Sequence, residues 1–454
     1  MGLGGNWRRL WAADAISSLG DGAYAAAIPL LAIYFTRSPA QVAGVATAAS
    51  LPWLLCSLHA GVLADRYDRR RLMSIAQAVQ ATAVSLAAVV AIIPGGRIWM
   101  LYATSFALGA AETVFSNAAQ SMLPTVVASE HLEAANGRQY ATETVTQQFI
   151  GPPLGSLLFA AALPATRSLP FWLDALSFAV SALLIARIRL APATAAGSAT
   201  AASAVGSASA AGSAGSAGSA GPLASAGPPS AARPAPRRPM RHDIVEGLHW
   251  LLAHRLLRTL AILLAVTNMA GQLAYSTFVL FATQQLHVGT RGFGVLLAAS
   301  AIGGVAGGLG SRRIVALLGT RRSIILGAAV GAASAAVVGL LARDAYVMVA
   351  CMATSAFSAT VWNVATVSMR QRIIPDRIRG RVNSVYRLAG WGSLPIGAAI
   401  GGVIATAFGL RAPWLFAAGL RAGVVVAVVA LLRPALFVTD DTDTAATKPL
   451  AVAT

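Results

Sequence analysis

Two acidic side chains deep inside long apolar segments are the residues of this chain best suited to proton chemistry. Asp21 lies well inside the first apolar segment, and Glu112 lies past the middle of the fourth. A charge in hydrocarbon costs about 2.5–3.5 kcal/mol on insertion scales, so each acid requires a reason to be there. We expect Asp21 to face a central cavity where it gains and loses a proton. We expect Glu112 to be a second proton site or the partner of a cationic substrate.

A structural role is the competing interpretation for both acids. Asp21 could hydrogen-bond to Ser17, Ser18 or a neighbouring segment. Glu112 could join two helices through a buried hydrogen bond, as polar side chains in membrane helices often do. The residue types alone leave both interpretations open.

Two further side chains of the first half are predicted to line the same cavity. Glu143 and Gln147 are one helical turn apart in the fifth apolar segment, so they share a face. Glu143 lies near the inner end, where pairing with a cytoplasmic arginine is the alternative. Asp14 and Asp174 lie closer to the ends of their segments, and we expect structural roles for them at helix termini.

Two cations lie inside the last two apolar segments. Arg421 lies well inside the twelfth segment, where it could bind an anionic substrate or a buried carboxylate, and the sequence does not decide between them. Arg387 lies one turn into the eleventh segment, and we expect its long side chain to extend back to the inner interface.

Catalytic and metal motifs are missing from the sequence. Cys56 and Cys351 each lie inside an apolar segment, where buried free thiols are expected. The single lysine, Lys448, is in the tail, so a phosphate-binding loop of the Gly-x-x-x-x-Gly-Lys type is excluded. There is no His-Glu-x-x-His pattern either. We therefore predict that the chain is not an enzyme and that it uses no cofactor and no metal.

The elements that position these residues are membrane-spanning helices. Hydrophobic residues make up 56% of the 454 residues and charged residues 11%, about half the charge of a soluble protein. Apolar stretches long enough to cross a hydrocarbon core recur along the chain. Twelve spans are predicted, over residues 10–35, 40–64, 72–94, 98–121, 138–163, 169–188, 257–283, 292–315, 323–343, 345–369, 383–409 and 411–437.

The basic residues predict the orientation of these spans. The formal charge of +18 comes mainly from arginines in every second loop, so retention of basic loops in the cytoplasm explains it without nucleic acid. Both termini are therefore predicted to be cytoplasmic. The loops that carry this signal contain Arg8, Arg9, Arg66, Arg69, Arg70, Arg71, Arg312, Arg313, Arg321, Arg322, Arg370, Arg372, Arg377, Arg379 and Arg381.

The chain divides into two halves of six spans. We predict an N-terminal six-helix bundle over 1–190, a flexible cytoplasmic linker rich in Ala, Gly, Ser and Pro over 191–239, a C-terminal unit over 240–437 and a cytoplasmic tail over 438–454. The C-terminal unit starts with an amphipathic helix over 240–256 that is expected to lie on the inner membrane surface. Residues recur in the same order in both halves, which indicates a duplicated six-helix unit.

Two motifs resemble the major facilitator superfamily. The turn from Gly61 to Leu72 reads Gly-Val-Leu-Ala-Asp-Arg-Tyr-Asp-Arg-Arg-Arg-Leu, which matches the superfamily's loop between spans two and three except at Asp68, where glycine is usual. Span five carries Gly-Pro-Pro-Leu-Gly, similar to the kink motif of exporters in the superfamily, with Ser156 where a second glycine is usual. Other segments resemble the bacterial branch that contains enterobactin-type siderophore exporters and macrolide efflux pumps. They are Ser18-Leu19-Gly20-Asp21, Leu132 to Asn136, Phe171 to Phe178 and Pro375 to Val382.

The resemblance implies roles for both motifs. For the first loop it implies gating of the outward-open state. The alternative is that the arginines only retain the loop in the cytoplasm. The loop residues are Gly61, Asp65, Arg66, Arg69, Arg70 and Arg71. In span five it implies a kink that closes an ion leak, and a simple proline bend is the alternative; the residues are Gly151, Pro152, Pro153 and Gly155.

The sequence thus predicts an all-α membrane protein with twelve transmembrane helices in two pseudo-symmetric six-helix bundles. We expect a monomeric, proton-coupled exporter of a drug-like or natural-product small molecule in the inner membrane of a bacterium. Its partners are the substrate, protons and membrane lipid, and not nucleic acid. An importer or lipid flippase of the same fold is one alternative. A membrane receptor or assembly subunit that does not transport is the other.

Overall fold

A computed structural model of the chain describes residues 5–57, 59–60, 63, 67–127, 131–161, 164–188, 240–375 and 378–431. Those residues are almost entirely helical and contain no strand. The predicted linker over 191–239 and the predicted tail over 438–454 lie outside them, as do Gly61, Asp65 and Arg66 of the predicted gating loop. The predicted domain limits at the linker and tail therefore stay predictions.

The helices follow the predicted order of spans. Span 1 is Gly5–Phe35, span 2 is Pro39–Leu55, span 3 is Arg69–Val90 and span 4 is Ile98–Val126. Span 5 consists of Leu132–Glu143, a π-helical segment Thr144–Ile150 and Gly151–Phe159; a short 3₁₀ helix, Pro164–Ser168, leads to span 6, Leu169–Ala186. A separate helix, Met240–Ala253, precedes span 7, which consists of Arg255–Tyr275, Phe278–Leu280 and a π-helical segment Phe281–Gln285. Spans 8 and 9 lie within Thr290–Leu341, span 10 is Ala345–Ile373, span 11 is Arg379–Gly392 with Leu394–Phe408, and span 12 is Ala412–Leu431.

Twelve crossings follow from these helices, as predicted. Among the described residues, nine helical segments are long and apolar enough to cross a membrane by themselves. One of them, Thr290–Leu341, contains two spans, because Gly319 has a φ of 76° and interrupts the helix. The other two crossings are span 2, a helix of 17 residues, and span 5, which its π-helical segment divides.

The two halves pack against each other at one end of the bundle. We call the end where span 1 begins the proximal end, and the end where span 1 meets span 2 the distal end. At the distal end, Leu31 of span 1 belongs to the same buried apolar cluster as Phe278 of span 7 and Phe293 of span 8. Span 2 lies along the second helix of span 11, and span 5 lies along span 8. The distal end is therefore closed by a shared apolar core.

Two glycines permit this close approach. A Cβ atom placed on Gly402 of span 11 would lie 2.6 Å from the Cβ of Ala43 in span 2. A Cβ on Gly294 of span 8 would lie 2.1 Å from the carbonyl oxygen of Pro152 in span 5. No side chain fits at either distance, so the helix backbones themselves are in contact.

The helix Met240–Ala253 packs against the proximal end of span 11. Its Glu246 forms an ion pair with Arg381, and a Cβ on Gly247 would lie 2.8 Å from the carbonyl oxygen of Arg381. Leu251 is buried in a cluster with residues of spans 7, 9 and 11. One face of this helix is therefore used for protein packing, and its location at a membrane surface stays a prediction.

Asp68, in the loop before span 3, stands where the superfamily usually has glycine, and its conformation shows why aspartate is accepted there. The residue has a φ of −58°, so it does not use the left-handed region that favours glycine. Its Oδ1 accepts a hydrogen bond of 2.9 Å from the backbone N–H of Arg71. Asp68 is thus the N-cap of span 3, a role in which aspartate is strongly preferred.

Candidate transport cavity

Four of the predicted site residues surround one cavity in the first half. The cavity has a volume of about 780 Å³ and is lined by Asp21 of span 1, Glu112 of span 4, and Glu143 and Gln147 of span 5. Its lining continues through residues of span 5 as far as Leu132 at the proximal end. We call this cavity the acidic lobe. Spans 1, 4 and 5 bring together side chains that are far apart in the sequence.

Span 3 contributes two glutamines that the sequence analysis did not include. Gln80 is 1% exposed, and its Nε2 donates a hydrogen bond of 2.8 Å to Oε2 of Glu112. Gln77, one turn earlier, is also 1% exposed, and its Oε1 has no partner. Both line the acidic lobe. Their spacing of three residues inside an apolar span was the signal that could have identified them.

Asp174 of span 6 is buried against span 1 beside the acidic lobe, which corrects the expectation that it serves a helix terminus. The residue is fully buried, and Ser177 Oγ lies 3.3 Å from its Oδ1, whereas Oδ2 has no partner. A Cβ on Gly20 would lie 2.4 Å from Asp174 Oδ1, so span 6 contacts span 1 beside Asp21. Asp21 follows Gly20 directly in span 1, so it is adjacent to the contact with Asp174, and it lines the acidic lobe together with Glu112.

Five acids in or beside the acidic lobe have no basic partner among the described residues. Asp14 also lines the acidic lobe, and its Oδ2 accepts no hydrogen bond. In the described part of the chain, no arginine forms a salt bridge with Asp14, Asp21, Glu112, Glu143 or Asp174. The alternative for Glu143, pairing with a cytoplasmic arginine, is therefore not observed among these residues.

A second cavity in the C-terminal half has the opposite charge. It has a volume of about 600 Å³, and the cations in its lining are Arg370, Arg387 and Arg421. The aromatic side chains Trp362 and Trp391 also line it. The six predicted spans of this half contain no aspartate or glutamate. We call this cavity the basic lobe.

Arg421 lies inside span 12 beside the basic lobe. Its Nη1 lies 3.1 Å from the carbonyl oxygen of Gly331 and 3.4 Å from Ser355 Oγ. Its Nε is buried and has no acceptor. Of the two predicted partners, a buried carboxylate is not found among the described residues. The anionic substrate stays as the prediction for this side chain.

Arg387 joins the two lobes, which corrects the expectation that it extends to the inner interface. Its Nη2 lies 2.5 Å from Oδ1 of Asn117, and its Nη1 lies 3.0 Å from Oε1 of Gln120. Both acceptors belong to span 4 in the other half. Nearby, the rings of Trp53 in span 2 and Trp391 in span 11 have centroids 4.6 Å apart. Arg387 and Trp391 line both lobes, so these contacts lie between the two cavities.

The Gly-Pro-Pro-Leu-Gly motif of span 5 contacts span 1. A Cβ on Gly151 would lie 2.5 Å from the Cα of Gly22, and a Cβ on Gly155 would lie 2.1 Å from the carbonyl oxygen of Ala23. The π-helical segment Thr144–Ile150 ends just before Gly151. Pro152 has no N–H to donate, so the regular α-helical hydrogen bonding is interrupted here. This interruption explains the change from α-helix to π-helix just before the motif.

The same motif also contacts the other half. Pro152 lies against Gly294 of span 8, and Ser156 Oγ lies 3.2 Å from the carbonyl oxygen of Arg291. Ser156, the departure from the usual glycine, therefore makes a hydrogen bond between the halves. The motif therefore lies between span 1 of its own half and span 8 of the other half. A motif that takes part in the movement of the halves would need such contacts on both sides.

The described arginines of the predicted gating loop contact their own half. Nη1 of Arg70 lies 3.1 Å from the carbonyl oxygen of Ile188, at the proximal end of span 6. Arg71 is the residue capped by Asp68, and Arg69 begins span 3. Gly61, Asp65 and Arg66 lie outside the described residues. Gating by this loop stays a prediction. Cys56 and Cys351 are free thiols, but both are half-buried, whereas buried thiols were expected.

Twelve membrane-spanning helices in two halves, with polar cavities between them, define a secondary transporter of the major facilitator type. A sequence model of the family described as "transmembrane secretion effector" matches residues 5–213 and 223–453. The chain belongs to this family of the major facilitator superfamily. The family membership confirms the predicted fold and the prediction that the protein is a membrane transporter and not an enzyme.

Related proteins are known efflux pumps. The multidrug efflux pump Tap of Mycobacterium tuberculosis is 28% identical over 438 residues, which cover 93% of this chain and 92% of that protein. Macrolide efflux protein A of Streptococcus pyogenes is 24% identical over 163 residues, which cover 34% of this chain and 39% of that protein.

Solved structures agree on the fold. The nucleoside transporter NupG has a TM-score of 0.70 at 10% identity, covering 95% of this chain and 100% of that one. A bacterial homologue of the iron transporter ferroportin in an inward-facing state has a TM-score of 0.66 at 16% identity, covering 95% of this chain and 100% of that one. At these identities the likeness establishes the architecture alone.

Proposed function

We propose that this protein is a proton-coupled exporter of a drug-like or natural-product small molecule. It acts as a monomer in the cytoplasmic membrane of a bacterium, with both termini in the cytoplasm. The similarity to Tap and to macrolide efflux protein A supports export. The observation that carries proton coupling is that Asp21 and Glu112 line one cavity, with Asp174 packed on Gly20 beside them, and that the three acids form no salt bridge among the described residues.

Electrostatics explains why such a cluster binds protons. Like charges held close together in a medium of low dielectric constant repel one another, and a proton bound to one carboxylate removes that repulsion. A cationic group of a substrate would have the same effect. A substrate that carries a cationic group therefore competes with protons for the acidic lobe, which is the condition for antiport.

The packing of the halves supports alternating access. The distal end is closed by the shared apolar cluster that includes Leu31 and Phe278, and the lining of the acidic lobe extends to Leu132 at the proximal end. With the proximal end in the cytoplasm, this arrangement is closed to the outside, and release of the contact between Arg387 and Asn117 would widen the path for substrate from inside. Rocking of the halves about the contacts of span 2 with span 11 and of span 5 with span 8 would expose the lobes to the other side.

Transport assays test this proposal. The protein is expressed in an efflux-deficient bacterial host and scored against a compound panel with and without a protonophore. Export predicts resistance that the protonophore abolishes, and accumulation of the same compound in inverted vesicles. Accumulation in right-side-out vesicles would favour the alternative of an importer, and movement of a labelled lipid between leaflets would favour a flippase.

A matched variant separates transport from a receptor or assembly role. Asp21→Asn keeps the size of the side chain and removes its ability to ionise, so proton-driven export is expected to be lost. Thr82→Val is the control, because Thr82 is exposed on span 3 and its hydroxyl bonds to the backbone of its own helix. No transport by the parent of any compound in the panel would contradict the proposed function.

A further inference from the structure

Arg421 is a buried cation with unused hydrogen-bond donors. A guanidinium carries five N–H groups. Both hydrogen bonds of Arg421 involve Nη1, which lies near the carbonyl oxygen of Gly331 and near Ser355 Oγ. In the described part of the chain, Nε and Nη2 donate to nothing. The Nε–Nη2 side is therefore left for a partner that accepts two parallel hydrogen bonds, as a carboxylate does.

Glycines make room around this guanidinium. A Cβ on Gly271 would lie 3.3 Å from Arg421 Nη2, and a Cβ on Gly331 would lie 3.6 Å from Nη1. Any longer side chain at these two positions would compete with the guanidinium for space. Arg421 and Ser355 line both the basic lobe and a smaller adjoining cavity of about 230 Å³. The guanidinium of Arg421 therefore has open space next to it, where the two cavities adjoin it.

Other polar atoms around the basic lobe also lack partners. The indole Nε1 of Trp362 has no acceptor, and the residue is only 5% exposed. Thr267 Oγ1 and Asn383 Oδ1 are likewise buried without a partner, and both residues line the same cavity. Unsatisfied buried polar atoms are rare in folded proteins, and several around one cavity are available to hydrogen-bond a polar group that enters it.

The charge of the lobe determines what that group is. Arg370, Arg387 and Arg421 line it, and the spans of this half contain no acid to balance them. An uncompensated buried cation is costly, so an anion is the partner that stabilises it. Trp362 and Trp391 line the same cavity, and a lining with two large aromatic side chains suits the body of an organic molecule better than a bare inorganic ion.

We propose that the basic lobe binds an ionised acidic group of the transported molecule, a carboxylate or a comparable oxyanion, with Arg421 as its anchor. This assignment rests on the proposed function and names its substrate class: organic anions with an aromatic or otherwise flat body. The acidic lobe across the Arg387 contact then serves protons or a cationic group of the same molecule.

Matched compounds test the assignment without any mutation. Uptake into inverted vesicles is measured for pairs of aromatic carboxylic acids and their carboxamides, which have the same shape and lack the charge. The parent protein is expected to take up the acids at least about tenfold better at equal concentration, which corresponds to about 1.4 kcal/mol. Equal uptake of both members would overturn the assignment while leaving export itself intact, and no uptake of any compound would instead contradict the proposed function.

Variants then locate the anchor. Arg421→Gln is expected to lower the ratio of acid to carboxamide uptake from about tenfold to about one, and Arg421→Lys is expected to restore part of that ratio, since lysine keeps the charge and loses the planar fork. Arg343→Gln, which removes an exposed cation between spans 9 and 10, is the control. If Arg421→Gln does not fold, Trp362→Phe replaces it, with an expected fall of about two- to fivefold in the ratio of acid to carboxamide uptake.

Two results would overturn the role of Arg421. One is an equal loss of acid and carboxamide transport in a folded Arg421→Gln protein, which would indicate a purely structural side chain. The other is equal inhibition of acid and carboxamide uptake by added sodium chloride and by added sodium sulfate at the same ionic strength, which would indicate that an inorganic anion occupies the site.

Discussion

Arg387 of span 11 reaches across the cavity to Asn117 of span 4, with 2.5 Å between Nη2 and Oδ1. The two residues are separated by 270 positions in the sequence and belong to different halves. Because the guanidinium also donates to Gln120 and lies beside the Trp53–Trp391 pair, the contact joins the halves between the acidic and basic lobes. It must break whenever the halves separate there.

Removal of this contact should open the cavity. Arg387→Gln shortens the side chain and eliminates the charge-assisted bonds to span 4, so the halves should separate more often on the proximal side. A cysteine replacing Ser116, which lines the acidic lobe, reports this opening through its rate of maleimide labelling in a background without Cys56 and Cys351. We expect the rate to increase about three- to tenfold, equivalent to about 0.7–1.4 kcal/mol.

Arg343→Gln is the control for this experiment, since it removes an equal charge from an exposed position. An unchanged or lower labelling rate for Arg387→Gln would show that the bridge to Asn117 does not hold the halves together.

The glycine contact between spans 5 and 8 should be intolerant of a single methyl group. In Gly294→Ala the new Cβ would lie 2.1 Å from the carbonyl oxygen of Pro152, so the two backbones must separate. We expect a destabilisation of about 1–3 kcal/mol, the usual cost of overpacking, together with a large loss of transport. Thermal unfolding in detergent and vesicle uptake measure the two effects.

Gly308→Ala is the matched control on the same span. A Cβ at Gly308 meets nothing within 4 Å, and alanine favours a helix over glycine. That variant should be as stable as the parent or slightly more so. Similar melting temperatures for the two variants would contradict the close contact at Gly294.

Gln80 should support Glu112 in the acidic lobe. Gln80→Leu keeps the approximate volume and removes the donor to Glu112 Oε2, which leaves a buried carboxylate without its hydrogen bond. A loss of about 1.5–3 kcal/mol is typical for a hydrogen bond to a charged group, so proton-driven export should fall at least tenfold. Gln80→Glu also lacks the amide donor and adds a like charge, so it should not restore export. Normal export by Gln80→Leu would remove Gln80 from the mechanism.

The N-cap at Asp68 should be measurable as local stability. Asp68→Ala loses the bond to the N–H of Arg71 and should destabilise the start of span 3 by about 1 kcal/mol, whereas Asp68→Asn should retain most of the cap. Hydrogen exchange of the amides at the start of span 3 is the direct measurement. Equal exchange in Asp68→Ala and Asp68→Asn would show that the side chain does not cap the helix.

Much of the fold was predictable because lipid imposes simple rules. Apolar runs of the length that crosses a bilayer define the spans, and the break between spans 8 and 9 at Gly319 falls just before Arg321 and Arg322, where a loop was predicted. The helix boundaries of span 5 were less predictable. Its π-helical segment, Thr144–Ile150, results from the two prolines that follow and from the tight contact of Gly151 with Gly22 in span 1.

The composition of the cavity could be predicted only in part. Asp21 and Glu112 stood out because ionisable residues in apolar spans are costly. Asp174 was assigned to a helix end by its place in the sequence, yet the packing of span 6 on Gly20 buries it beside Asp21. The contact of Arg387 with Asn117 depends on how two distant halves meet, and no local pattern carries that information.

The most direct test of the account is a measurement of protons exchanged when substrate binds. The purified full-length protein is placed in weakly buffered detergent with a pH-indicator dye, and an exported compound that carries a cationic group is added. The account predicts release of protons by the parent and little or no release by Asp21→Asn under the same conditions. Export by a parent protein that releases no protons on binding substrate, or equal release by both proteins, would contradict it.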